Sequence, residues 1–256
     1  MEKYFTEHTL VEHQEGALWL TLSLNILQRS LQLITNKFDY KTISKSSVDG
    51  KRLYACPDGN SVASVTTILD KTKDKTQLIA WRKRVGEVKA QEIVTEAASV
   101  GTRMHKFLED YVETDEWPKA GSNPYSLQAN KMASVIKEQA LSNVDEIWGS
   151  EVQLYHPKIY AGTTDLVGVF KGQECIMDFK QSNGPKKEEW VDDYKMQLVA
   201  YALAHNEIYG TNISEGHVFV CCRDLTYQQF DIFPDTFKSW ENKWWDRVYQ
   251  YYDRFA

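Results

Sequence analysis

Residues 160–180 constrain the fold more tightly than any other part of the chain. Two runs rich in β-branched and aromatic side chains, 160–170 and 175–180, flank Lys171-Gly172, a pair suited to a two-residue hairpin turn. With those two residues as the loop, Phe170 pairs with Gln173, and counting back along both strands sets Asp165 directly across from Asp178. Opposed residues share a face with their Cβ atoms about 5 Å apart, so two carboxylates there repel unless a cation lies between them or one is protonated. Strand alternation returns Lys180 to the face of Asp178. The register therefore predicts a divalent metal beside a lysine at one place on a β-sheet.

The short motif is common by itself. An acidic residue stands two positions before a lysine at Asp39, Asp49, Glu87, Asp178, Asp193 and Glu241. Only Asp178 follows a strand of buried character, Cys175-Ile176-Met177, with a carboxylate registered opposite. At this level a surface salt bridge at a strand end accounts for the same residues. Glu151 becomes a third carboxylate, across from Asp165 on its other side, if 157–159 form a three-residue loop; a one-residue slip leaves it as an exposed strand glutamate. His105 lies near a helix start with Glu109 one turn later, a position open to a ligand or to an ordinary surface or packing histidine. Gln197 and Tyr201, four apart, share a helix face, where they either bond a phosphate or base or form a partly buried polar pair.

The rest of the chain reads as helices, then strands, then both. A hairpin is expected from 38–43 and 51–56 around Asp49-Gly50, with a second turn at Asp58-Gly59-Asn60. Helical periodicity runs over 65–113, with breaks expected at Gly86 and Gly101, and Asn123-Pro124 opens a helix to about 141. Strands follow at 146–156, 160–170 and 175–180, then a helix at 188–209, strands at 217–223 and 227–232, and a helix at 237–255 whose Trp240, Trp244 and Val248 read as core. This is an α+β arrangement. An extension at 1–36, with a helix candidate at 17–34, precedes a single domain at 37–256 that carries a helical lobe at about 64–143.

With 42% hydrophobic and 26% charged residues among 256, the composition is that of an ordinary globular protein and excludes disorder over most of the chain. Cys56, Cys175, Cys221 and Cys222 lack metal-type spacing, which argues against a disulfide framework or a cysteine-only cluster. The longest early uncharged run, 16–28, falls short of the ~18 apolar residues of a membrane span. Residues 1–15 hold one lysine and four glutamates, the opposite of a signal or transit peptide, so a soluble intracellular protein with no membrane partner is expected. Net charge is −6, yet 71–89 carries seven basic side chains against Asp74 and Glu87. Trp81 with Arg82, Lys83 and Arg84 there fits a basic, stacking wall along a nucleic-acid strand, or a solvated helix face with Trp81 in the core.

The motif order supplies a resemblance. Gly101-Thr102-Arg103-Met104-His105, Glu151, Gly162-Thr163-Thr164-Asp165, Asp178-Phe179-Lys180, and Gln197 with Tyr201 follow the order of the RecB-type nucleases of the PD-(D/E)XK superfamily, which the chain resembles over about 38–232. Ser64-Val65-Thr66-Thr67-Ile68-Leu69, followed by 78–84, resembles the branch of mitochondrial genome-maintenance and phage exonucleases. The resemblance implies a restriction-endonuclease-like core of helix, three antiparallel strands, helix and strand, with added N-terminal helices and a C-terminal helix. It also implies that His105, Asp165, Asp178 and the main-chain carbonyl of Phe179 are metal ligands, that Lys180 is the catalytic lysine, and that Glu151 belongs to the catalytic set. Gln197 and Tyr201 would support the site and the bound strand. Implied with them are one or two Mg²⁺ or Mn²⁺ ions, no iron-sulfur cluster, and hydrolysis of DNA, single-stranded by preference, to 5′-phosphates. Thr164 at the superfamily's proline position and Gln181 in place of threonine remove no ligand. A structure-specific endonuclease and an inactive DNA-binding module on the same core stay open, as does a phage protein acting in a host cytoplasm.

Overall fold

The computed structural model describes residues 34–48 and 51–255. Its elements run β1 (Ser44–Val48), β2 (Lys51–Ala55), β3 (Ser61–Ser64), α1 (Val65–Thr72), α2 (Thr76–Val85), α3 (Glu87–Thr114) and α4 (Pro124–Gln139). They continue with β4 (Val144–His156), β5 (Tyr160–Phe170), β6 (Gln173–Ser182), α5 (Asp192–Tyr209), β7 (Glu215–Cys222), β8 (Tyr227–Ile232) and α6 (Pro234–Phe255). The fold is α+β, with a mixed, mostly antiparallel sheet in the order β1-β2-β3-β5-β6-β7-β8 and with β4 on β5.

Local chemistry sets the boundaries. Ser64 caps α1 by accepting the Thr67 N–H at 3.0 Å, and Asn123 caps α4 by accepting the Tyr125 N–H at 2.8 Å, with Pro124 in the first helical position. Lys171 and Gly172 both have positive φ, 49° and 81°, as a two-residue hairpin turn requires. Phe170 pairs with Gln173 as the spacing predicts, and His156 with Tyr160 across the 157–159 loop.

Several boundaries differ from expectation. The first hairpin arm is at 44–48 rather than 38–43, because Phe38 and Tyr40 pack against Trp148, His205 and Tyr209 in an aromatic cluster instead of joining a ladder. Gly86 separates α2 from α3, but Gly101 lies inside α3 without breaking it. The helix lies against β6 there, where a Cβ would make only an ordinary contact, 3.8 Å from that of Gln181. Glu188–Trp190 forms a 3-10 turn before α5, and Leu141–Asn143 another after α4. The helix candidate at 17–34, except for Ile34, and the Asp49-Gly50 turn lie outside the described residues. Among the described residues no helix is long and apolar enough to cross a membrane.

Alternation along the strands separates two faces. Val167, Ile176, Val218 and Val220 pack with Leu198 and Val199 of α5 and with Trp244, Val248 and Tyr251 of α6. Burial of each large apolar side chain contributes about 1.5–3 kcal/mol, which anchors α5 across the sheet. Trp244 and Val248 are core as expected, and Trp240 packs at the edge of that core. On the opposite face, α3 lies against β6 through Gly101.

The pairing of β5 positions the site. One edge of β5 pairs with β4 along its length. The other edge is shared by β3, in parallel at Tyr160 and Ala161, and by β6, antiparallel from Leu166 to Phe170. Residues 162–165 are unladdered on that edge. After Met177, β6 parts from β5 and pairs only with β7.

Candidate active site

The fork between β5 and β6 opens at Asp165 and Asp178, the next pair in register beyond Leu166 and Met177. The ladder ends there because the Asp165 carboxylate, rather than a backbone carbonyl, accepts the Phe179 N–H, at 2.6 Å. Asp178, 3% exposed, faces α5, and Lys180 donates to its Oδ2 from the same face. The Lys180 ammonium also sits 5.4 Å from the centre of the Tyr194 ring.

His105 enters from α3. Its Nδ1 lies 2.9 Å from the Gly101 carbonyl, while Nε2 lies 2.8 Å from the Phe179 carbonyl and 3.3 Å from Asp165 Oδ2. Burial lowers its pKa, but the Asp165 carboxylate outweighs burial and lifts the imidazole to about 9. Burial likewise opposes the charge on Asp165, yet His105, Lys180 and the Phe179 amide together hold its carboxyl below the usual range. Asp178 is pushed the other way, by burial and by Asp165, which Lys180 only partly offsets. Lys180 is raised because Asp178 and Asp165 overcome its burial. One carboxylate is thus firmly ionised and its neighbour resists ionisation, the strain expected of paired acids short of positive charge.

Glu151 lies between the pairs Ser150 with Leu166 and Val152 with Thr164, which puts it opposite Asp165 in the predicted register. Its φ of 50° is left-handed, a costly conformation for a glutamate and one that concentrates at functional positions. Although its side chain reaches solvent, partial burial followed by repulsion from Asp165 and Glu109 lifts its carboxyl to about 7.

Gln197 donates to the Tyr201 hydroxyl at 3.2 Å, and both are buried. They border a cavity of about 190 Å³ that Glu151, Ser64 and Lys45 also line. Tyr201 fills the space of an absent side chain at Gly162, where a Cβ would come within 2.6 Å of its ring. The pair therefore braces the β5 side of the fork. Tyr194, not among the residues expected at the site, stands three residues before Gln197 and seven before Tyr201 on the same helix stripe, a spacing visible in the sequence.

The basic run is not drawn into this cluster. Trp81, Arg82, Lys83 and Arg84 lie on α2, which buries no residue. Arg82 is paired with Glu87 at 2.8 Å and reaches Gln91 at 3.4 Å, Trp81 is half-buried, and Lys83 and Arg84 are exposed.

Among the described residues no three His, Cys, Asp or Glu side chains already stand as a closed metal cage. The donor chemistry nevertheless fits a hard divalent ion: two carboxylates, one main-chain carbonyl and one imidazole nitrogen meet at the fork, and the other imidazole nitrogen is oriented by a carbonyl. Protons hold the donors together here, on His105 between Asp165 and Phe179 and on Lys180 beside Asp178.

No family model matches the chain. Over 176 residues it is 28% identical to mitochondrial genome maintenance exonuclease 1 of Homo sapiens, covering 64% of this chain and 50% of that protein. The Mus musculus protein of the same name matches at 28% over 176 residues, 64% of this chain and 51% of its own. The Xenopus tropicalis protein matches at 28% over 251 residues, 91% of this chain and 68% of its own. The chain thus spans about half the length of the first two relatives. A solved structure from Eubacterium rectale superposes with a TM-score of 0.45 and 13% identity over 62% of this chain and 65% of that one, too slight a likeness to argue from.

Proposed function

We propose that this chain is a metal-dependent deoxyribonuclease, an exonuclease that hydrolyses phosphodiester bonds of single-stranded DNA and leaves 5′-phosphates. The observation that carries the reading is the fork itself, where Asp165, Asp178, Lys180, His105 and the Phe179 carbonyl meet at a gap in the sheet. The shared name of the relatives supports exonuclease action on DNA, and the motif order supports the preference for a single strand.

Mg²⁺ or Mn²⁺ held by Asp165, Asp178, the Phe179 carbonyl and His105 Nε2 supplies Lewis-acid stabilisation of charge on a phosphoryl group. The chain's own groups orient and neutralise. The Phe179 N–H fixes one Asp165 oxygen, and the Gly101 carbonyl takes the Nδ1 proton of His105, which leaves Nε2 aimed into the cluster. Lys180, steadied by Asp178 and Tyr194, donates to the charge that grows as water oxygen bonds to phosphorus and the bond to the 3′ oxygen breaks. The leaving oxygen takes a proton and departs as a hydroxyl. Glu151, with a carboxyl near 7, exchanges protons at neutral pH and suits transfer to or from the attacking water.

A linear single-stranded oligonucleotide with Mg²⁺ or Mn²⁺ tests this directly. Nucleotides should be released from an end, chelation should stop the reaction, and Asp178→Asn or Lys180→Ala should slow it by about 10²–10³-fold. Undiminished cleavage in either variant would contradict its assigned role, and degradation of circular single strands would turn the reading to an endonuclease.

A further inference from the structure

We infer that a groove running off the fork between α3 and the end of β6 is a nucleotide subsite, in which Trp190 stacks on a base and Lys186 takes the adjoining phosphate of the strand being cut. The inference rests on the nuclease reading and adds to it a binding position with its own residues.

The groove adjoins the fork through two elements. On α3 the stripe that carries His105 continues backward, four residues at a time, through Gly101 to Ala97. On β6, Gln181 follows Lys180 and lies against Gly101. Ala97 and Gln181 both open onto a groove of about 370 Å³, whose far side is formed by Asn183, Pro185, Lys186 and Trp190. At about 3.3 Å per residue, the end of β6 at Ser182 lies within ~13 Å of Asp178, close enough for a neighbouring nucleotide of a strand whose phosphate sits at the fork.

The lining has the chemistry of a nucleotide. Trp190 is 55% exposed on the 3-10 turn before α5, an indole at the rim of the cavity with the Lys187 ammonium 5.3 Å from its ring centre. Nearby carboxylates are already engaged: Glu188 by Lys195, Glu189 by Lys187 at 3.8 Å, and Asp193 by Lys73 at 2.6 Å and by Arg247 at 3.1 Å. Lys186 differs, being half-buried with no carboxylate at ion-pair distance among the described residues. Its backbone is fixed by Gln228, which accepts the Lys186 N–H at 2.7 Å and donates to its carbonyl at 2.9 Å. Burial, together with nearby Lys73, holds its pKa below the ordinary lysine range, as befits a cation lacking a counter-ion. A phosphate supplies that counter-ion, and the indole face takes any base because every base has a π-face.

Binding separates this inference from catalysis. Anisotropy of a fluorescein-labelled oligothymidylate, measured in EDTA so that no turnover occurs, gives Kd for each variant. Trp190→Ala should weaken binding about tenfold, the ordinary cost of losing one stacked base, while Trp190→Phe should restore most of it. A wholly abasic oligonucleotide should bind wild type and Trp190→Ala alike. Lys186→Ala should lower the slope of log affinity against log salt by about 0.7, the loss of one phosphate contact on a single strand. Unchanged affinity and slope in these variants of a protein that does cut DNA would overturn the subsite and leave the nuclease reading standing. A wild-type protein that neither binds nor cuts would overturn both.

Discussion

His105, its side chain 30% exposed at the fork, is held protonated, whereas His205, fully enclosed by the fold, is held neutral. His205, 0% exposed, sits among aromatic rings, 5.0 Å from Phe38 and 4.9 Å from Tyr209 between centroids. Its nitrogens meet the hydroxyls of Tyr40 at 3.0 Å and Thr211 at 2.7 Å. Burial, aided by Lys37, drops its pKa to about 4. His105 meets two backbone carbonyls and the Asp165 carboxylate, which reverse the effect of burial and raise it to about 9. Burial alone therefore does not make a histidine functional. The difference lies in the surrounding acceptors: at the fork the parted strands leave a carbonyl and a carboxylate outside the ladder, whereas the aromatic box offers only neutral hydroxyls.

The largest effects should separate the two regions by readout. His105→Ala should cut nucleotide release by about a hundredfold, at the upper end of disturbances to a metal-site shell, with little change in unfolding free energy at pH 9, where the contribution of the imidazolium is nearly gone. His205→Ala should do the opposite, removing about 3 kcal/mol of stability through the cavity it leaves among Phe38, Trp148 and Tyr209, with turnover of the folded enzyme unchanged. Denaturant melts and single-turnover assays on both variants check the crossing. Equal loss of activity in the two would erase the distinction.

The same pair predicts two limbs of opposite sign in the pH dependence of stability, measured without metal by urea unfolding from pH 4 to 9. His205 has a folded pKa below its unfolded value of 6.5, so its contribution is full above 6.5 and is lost as pH falls toward 4. His105 has a folded pKa above 6.5, so its contribution is full below 6.5 and is lost as pH rises toward 9. Each limb amounts to roughly 2–3 kcal/mol at its extreme. His205→Gln should flatten the acid limb alone and His105→Gln the alkaline limb alone. An alkaline limb above pH 7, beyond the range in which Glu151 and Asp178 lose their own contributions, that survives His105→Gln would show that the fork does not hold the imidazolium in the way the distances indicate.

How far the sequence carries this comparison differs between the two regions. Register around Lys171-Gly172 and the loop at 157–159 were legible, because turn length and strand alternation are local properties, and they brought Asp165, Asp178, Lys180 and Glu151 together. The parting of β6 from β5 was not, since it depends on the Asp165 side chain taking a hydrogen bond that a ladder would otherwise make. Gly101 reads as a helix breaker until the sheet it approaches is known. Phe38 and Tyr40 alternate like a strand, and only the distant Trp148 and His205 draw them into the aromatic box. The basic charge near Arg82 was plain, but not that Glu87 already neutralises part of it.

One helix joins the two regions, and the smallest expected effect probes that joint. On α5, Tyr194, Gln197 and Tyr201 face the fork, and His205, one turn beyond Tyr201, enters the aromatic box. Gly162→Ala would place a Cβ 2.6 Å from Tyr201 Cε1 and 2.9 Å from its hydroxyl, so the buried ring must shift and loosen its bond to Gln197. Overpacking of this kind costs about 1–3 kcal/mol. Gly121→Ala, with only the Ser126 hydroxyl at 3.8 Å, should cost nothing measurable and serves as the control. If α5 holds the two regions as independent supports, Gly162→Ala lowers nucleotide release severalfold and leaves the acid limb from His205 at its wild-type midpoint. A shifted acid limb would instead show that displacement of Tyr201 is passed one turn along the helix, and the fork and the box would then have to be treated as a single unit.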